Sequence, residues 1–211
     1  MTLLDASTFT KSDIYLNREF ELILNGVYKC YQKMLVDYNV IENNENKIRN
    51  RLYKDYLKSS AVRTWLGLEN YIFHPEVPEI DDNYDESART DLIVYNALTY
   101  AKDETAYYII ECKRIDGTKN LNDKYITNGI DRFIGDRYPS NKSVNGMLGF
   151  VVKSIDIHDN VSRITGLSSY SFIPQFSFAY TSTHTSVNSQ IFKLYHLMLD
   201  FTQLITATDP D

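Results

Sequence analysis

Tyr107-Tyr108-Ile109-Ile110-Glu111-Cys112-Lys113-Arg114 decides how this chain is read. It is an apolar run of strand length that ends in charge. Side chains alternate across a strand, so Glu111 and Lys113 share one face and Cys112 takes the other. A carboxylate and an ammonium at the end of a buried strand carry a desolvation penalty that something nearby must offset. The preceding apolar run, Thr90-Asp91-Leu92-Ile93-Val94, also carries an acid at its start. If Asp91 lies beside Glu111 on a neighbouring strand, two carboxylates converge with a lysine next to them. Oxygen ligands of this kind suit a hard divalent cation, and the lysine is placed to act on a nucleophilic water.

These residues resemble the PD-(D/E)XK nuclease superfamily, whose fold is restriction-endonuclease-like. Asp91 matches the family's Asp, Glu111 its acidic residue, Cys112 the spacer and Lys113 the Lys. Thr90 stands where the nominal Pro would be, a departure that touches no ligand. The resemblance implies an α/β, three-layer domain with a central mixed β-sheet flanked by helices. It implies Mg²⁺, with Mn²⁺ able to substitute, held by Asp91, Glu111 and the Cys112 carbonyl. The catalytic set would be Asp91, Glu111, Lys113 and Glu45, with Glu45 a further metal ligand on a helix preceding the sheet. The activity implied is hydrolysis of DNA phosphodiester bonds in a restriction, defence or repair setting.

Glu45 also stands out on its own spacing. It lies three residues before Ile48 and seven before Leu52, on the apolar face of its helix. An acid there is either a first-turn Glu favoured by the helix dipole or one aimed at a buried site. Glu42 is its fallback, and Glu76 is a further candidate acid on the first strand. On the segment after the Glu111 strand, Lys124, Tyr125, Arg132 and Arg137 are candidate nucleic-acid contacts. Tyr125 and Arg132 are seven residues apart, two helical turns on one side.

The net charge of −6 runs against a nucleic-acid partner, but the charge is unevenly spread. From Glu69 to Thr105 ten acids face only Arg89 and Lys102, whereas from Glu111 to Lys153 eight basic residues face five acids. A locally positive surface beside the site is therefore compatible with the overall sign. The acidic stretch suggests a competing reading, an acidic interaction or inhibitor protein that mimics DNA. Another is a catalytically inactive nuclease-fold subunit for DNA binding or assembly. A homodimer or a partner subunit suits the cutting of two strands.

The 211 residues, 43% hydrophobic and 24% charged, fit one soluble domain with a sizeable core. Its expected parts are N-terminal helices over 1–60, a catalytic core over 69–153 and a C-terminal extension of the sheet over 154–211. No apolar stretch approaches the roughly 20 residues of a membrane span. The start, MTLLDASTFTKSD, lacks the pattern of a secretory signal. Cys30 and Cys112 read as buried free thiols of a cytoplasmic protein, and nothing has zinc-ligand spacing.

Periodicity predicts helices over about 17–37 and 45–59, the second capped by Asn43 or Asn44, and a third over 122–137. Strands are predicted near 90–98 and 106–114, forming a hairpin around Ala101-Lys102-Asp103-Glu104, and at Gly146–Lys153, parallel to the Glu111 strand. Leu68–Asp85 reads as loop and strand, with Pro75 and Pro78 confining any strand to an edge or a bulge. Phe176–Thr181 reads as a strand, and Ile191–Phe201 as either a strand or a helix.

Overall fold

The computed structural model describes residues 11–80, 84, 86–138, 143–164 and 166–205. The N-terminal ten residues and the acids Asp81, Asp82 and Asp85 lie outside the described residues.

Helix α1, Lys11–Asp37, buries Phe20, Ile23, Leu24, Val27, Cys30, Tyr31 and Met34, an apolar stripe at helical spacing. It begins earlier than the predicted Asn17, because Leu16 extends the stripe by one turn and packs on the core. Helix α2, Glu45–Arg51, starts where the Asn44 side chain accepts from the Lys47 N–H. It then widens into a π-helical turn over Leu52–Leu57. Ser59 caps a further helix α3, Ser60–Leu66, a stretch for which no element was predicted, and Gly67 closes it in the left-handed conformation (φ 72°).

The sheet follows as strands β1 (Tyr71–Ile80), β2 (Glu86–Asn96), β3 (Tyr108–Ile115), β4 (Val144–Val151), β5 (Ser168–Ser169), β6 (Ala179–Thr185) and β7 (Ile191–Asp200). Its order is β1-β2-β3-β4-β7-β6-β5. The inner strands β3, β4 and β7 run parallel, and the flanking pairs are antiparallel, so this is an α/β protein with a mixed seven-stranded sheet. A helical turn, α4 (Ala97–Tyr100), joins β2 to β3 in the predicted hairpin. The β3-to-β4 crossover is α5 (Lys119–Tyr125), a π-helical stretch (Ile126–Ile130) and α6 (Asp131–Ile134). Helix α7 (Ile157–Ser162) follows β4.

Alternation divides the core in two. Tyr108, Ile110 and Cys112 of β3 pack with α1, whereas Ile109 and Ile115 pack with Tyr125, Ile130 and Phe133 of the crossover. The segment after Ile191 is a strand because it lies between β4 and β6, with both faces covered. Such a strand is apolar throughout, which is why its period is ambiguous in the sequence. The strand predicted at Phe176–Thr181 begins only at Ala179 and runs on to Thr185.

α1 comes close to the sheet at Gly146 of β4. A Cβ there would lie 2.9 Å from Cζ of Phe20. The Phe20 ring is stacked on Tyr108 and set edge-on to Tyr195, so it has little room to yield. Gly146→Ala is predicted to cost about 1–3 kcal/mol through overpacking, read as a lower midpoint in thermal or urea unfolding.

Candidate active site

The site lies where β2 leaves β3. The two strands pair only from Leu92↔Ile110 to Val94↔Tyr108. Beyond Ile110, the edge of β3 facing β2 has lost its partner, and its N–H groups need acceptors. Side-chain carboxylates supply them. Cys112 N–H donates to Asp91 Oδ2 (2.8 Å), and Arg114 N–H donates to Glu45 Oε2 (2.9 Å). Glu45 reaches this point because Asn44 starts its helix there and the Arg114 guanidinium donates to the Asn43 carbonyl (2.9 Å).

Lys113 Nζ sits in the middle of the group. It donates to Glu111 Oε1 (2.7 Å), the Cys112 carbonyl (2.6 Å) and Glu45 Oε1 (3.2 Å), and lies 3.5 Å from Asp91 Oδ2. Asp91, Glu111, Lys113, Glu45 and the Cys112 carbonyl are thus brought together. The Cys112 thiol points away, into the α1 side of the core. Glu111 is fully buried. Burial, and then the neighbouring Asp91, push its carboxyl from the ordinary 4.5 up to about 7, against the pull of Lys113 and Arg132. Burial works against the charge of Lys113, but Glu111, Asp91 and Glu45 outweigh it and hold the ammonium protonated.

Three further residues complete the group. Arg49, buried on α2, donates from Nη1 to Asp91 Oδ1 (2.5 Å) and from Nη2 to Glu76 Oε1 (2.6 Å). Arg132 Nη1 donates to Glu111 Oε1 (3.1 Å) and to the Tyr138 hydroxyl (2.5 Å), which itself donates to Glu111 Oε2 (2.8 Å). Arg49 had a sequence signal that was missed: it stands four residues after Glu45 and so shares its helix face. Tyr138 had none, since it follows the end of the crossover helix.

A cleft of about 350 Å³ opens beside Lys113. It is lined by Lys113, Arg114, Lys124 and Arg132, with Glu45 the one acid among its lining residues. Lys124 and Arg132, expected as nucleic-acid contacts, both line this cleft, Arg132 while also bonded to Glu111. Arg137 is exposed but is not part of the lining. Tyr125 corrects its prediction. It is fully buried, with its hydroxyl against His196 Nδ1 (2.9 Å), and cannot meet a ligand. The seven-residue spacing to Arg132 assumed an unbroken α-helix, and the π-helical stretch between them takes up extra residues per turn and offsets the two faces. Glu42 turns to Arg51 and Lys47, away from the group. Glu76 joins it only through Arg49, at a left-handed backbone position (φ 52°) in β1.

The donors are carboxylate and carbonyl oxygens, the chemistry Mg²⁺ prefers. Among the described residues, no three His, Cys, Asp or Glu form a ready-made metal cluster. The point that Asp91, Glu111, Glu45 and the Cys112 carbonyl share is held by the Lys113 ammonium. The donor set therefore fits a hard cation that competes with Lys113 for one position. No protein-family model, curated protein or solved structure matches this chain.

The raised carboxyl of Glu111 gives a pH test. The folded chain binds this proton more tightly than the unfolded chain does. The resulting stabilisation is full below about pH 4.5, the ordinary value, and is lost as pH rises through about 7. Glu111→Gln escapes that loss. In the absence of divalent ions it is predicted to melt above the wild type at pH 8, with a smaller gap at pH 5, in parallel calorimetric scans.

Proposed function

We propose that this chain is a Mg²⁺-dependent nuclease of restriction-endonuclease-like fold that hydrolyses DNA phosphodiester bonds in a restriction, defence or repair setting. The observation that carries the reading is the position of Lys113 Nζ. It lies within 3.5 Å of an oxygen from each of Asp91, Glu111, Glu45 and the Cys112 main chain, beside a cleft rich in cations. Mg²⁺ or Mn²⁺ held by these four groups would supply Lewis acidity and lower the pKa of a bound water. Lys113, on its flexible stem, orients the water and stabilises charge on the transferring phosphoryl group. Arg132 and Lys124, on the cleft wall, receive the flanking phosphates.

A second reading has its own support. Both oxygens of Asp91 and both of Glu111 are already taken by Arg49, Cys112 N–H, Lys113, Arg132 and Tyr138. A nuclease-fold subunit that binds DNA without cutting it would look the same. The acidic-mimic reading fares worse, since Glu76 and Glu86 are paired with Arg49 and Arg89.

Purified protein is predicted to cleave DNA with Mg²⁺ or Mn²⁺ and to stop when EDTA is added. Lys113→Ala is predicted to lose about 10²–10³-fold in turnover and to bind Mn²⁺ more tightly than the wild type, since its ammonium no longer competes for the position. Cleavage that persists in EDTA would overturn the metal reading, and DNA binding with no cleavage in Mg²⁺ would select the non-catalytic one. Lys124→Ala is predicted to weaken DNA binding whatever the sequence and to reduce the salt slope of log K by about 1, measured by fluorescence anisotropy across a salt series.

A further inference from the structure

Asp91 faces two cationic side chains, one on each oxygen. Oδ2 looks towards Lys113, in the position shared with Glu111, Glu45 and the Cys112 carbonyl. Oδ1 looks towards Arg49, in a position shared with Glu76. The carboxylates thus define two adjoining cation positions, the first occupied by an ammonium and the second by a guanidinium.

The two occupants differ in how they are held. Lys113 ends in a compact charge on a flexible stem and lines the open cleft, so its head group has somewhere to go. The Arg49 side chain is 3% exposed and forms no part of the cleft lining. Its planar fork is pinned at three places: Nη1 on Asp91, Nη2 on Glu76, and Nε (3.1 Å) and Nη2 (3.0 Å) on Asn50 Oδ1. A guanidinium does not lose its proton in a protein. Burial without a partner would leave it a costly charge, so it stays with its carboxylates.

We infer that Arg49 is a built-in cation that takes the place of a second metal ion, so that the site holds a single divalent ion at the Lys113 position. The inference rests on the metal reading proposed above and adds the ion count and the residue that sets it. Arg49 acts here as a positioning residue. It neutralises the outer side of Asp91 and keeps its other oxygen aimed at Cys112 N–H and the shared position.

The test is the number of Mn²⁺ ions bound per full-length chain, measured by equilibrium dialysis without nucleic acid. Wild type is expected to bind one ion. Arg49→Met, which keeps the stem volume but frees Asp91 Oδ1 and Glu76, is expected to bind two. Arg49→Lys, which keeps a positive charge there, is expected to bind one. Two ions on the wild type overturn the inference and leave the metal reading intact, whether or not the Met variant folds. One ion on an Arg49→Met protein with wild-type circular dichroism also overturns it. Absence of bound Mn²⁺ on all three proteins overturns the metal reading itself, and the inference with it.

Discussion

The charge of Lys113 is what lets three carboxylates and a main-chain carbonyl crowd the end of a buried strand. At an effective dielectric of about 20, two unit charges about 4 Å apart interact by roughly 4 kcal/mol. Asp91 and Glu111 both reach one ammonium, at 3.5 and 2.7 Å, which offsets their mutual repulsion. Glu111 shows the residual strain, its carboxyl held well above the ordinary range although Lys113, Arg132 and Tyr138 all touch it. Burial and the neighbouring Asp91 disfavour its charged form, so further positive charge close by would relieve it.

The backbone makes room for this cluster by a simple device. β2 and β3 separate just as the charged residues begin, and the N–H groups left over on β3 are received by Asp91 and Glu45. The acids therefore do two jobs. They close the hydrogen bonding of an interrupted sheet, and they are held by it in fixed orientation next to Lys113. Precise placement of this kind comes from rigid elements, and here it comes from a strand edge and a capped helix start. The π-helical stretch in the crossover adds to it, with Gly129 allowing the helix to lie against Met147 and the stem of Lys113.

Net charge does not describe the cleft. The overall sign is negative, yet the cleft is lined by Lys113, Arg114, Lys124 and Arg132 against Glu45. Potential at a surface depends on which charges share that surface, and the folding of β3 against its crossover brings Lys113, Arg114, Lys124 and Arg132 to one cleft. Described acids of the 69–105 stretch are partly cancelled where they stand, by Arg49 and Arg89.

Much of this was legible in the sequence. The alternation of Tyr108, Glu111, Cys112 and Lys113 determined which side chains share a face, because a strand has a period of two. The stripes on α1 and α2 and the apolar β4 run determined an α/β chain, and Glu45 was marked by an acid at an apolar helix position. The nearest-neighbour chemistry of the site was not legible. Arg49 reaches Asp91 across 42 positions and Tyr138 reaches Glu111 across 27, and no local period links residues so far apart. Nor did the period reveal that the crossover helix widens after Tyr125, which buried a ring expected at the surface. The sequence determined which residues carry charge on a buried strand. Only the tertiary structure decided which cation neutralises which acid, because desolvated charges choose partners by distance in space and not along the chain.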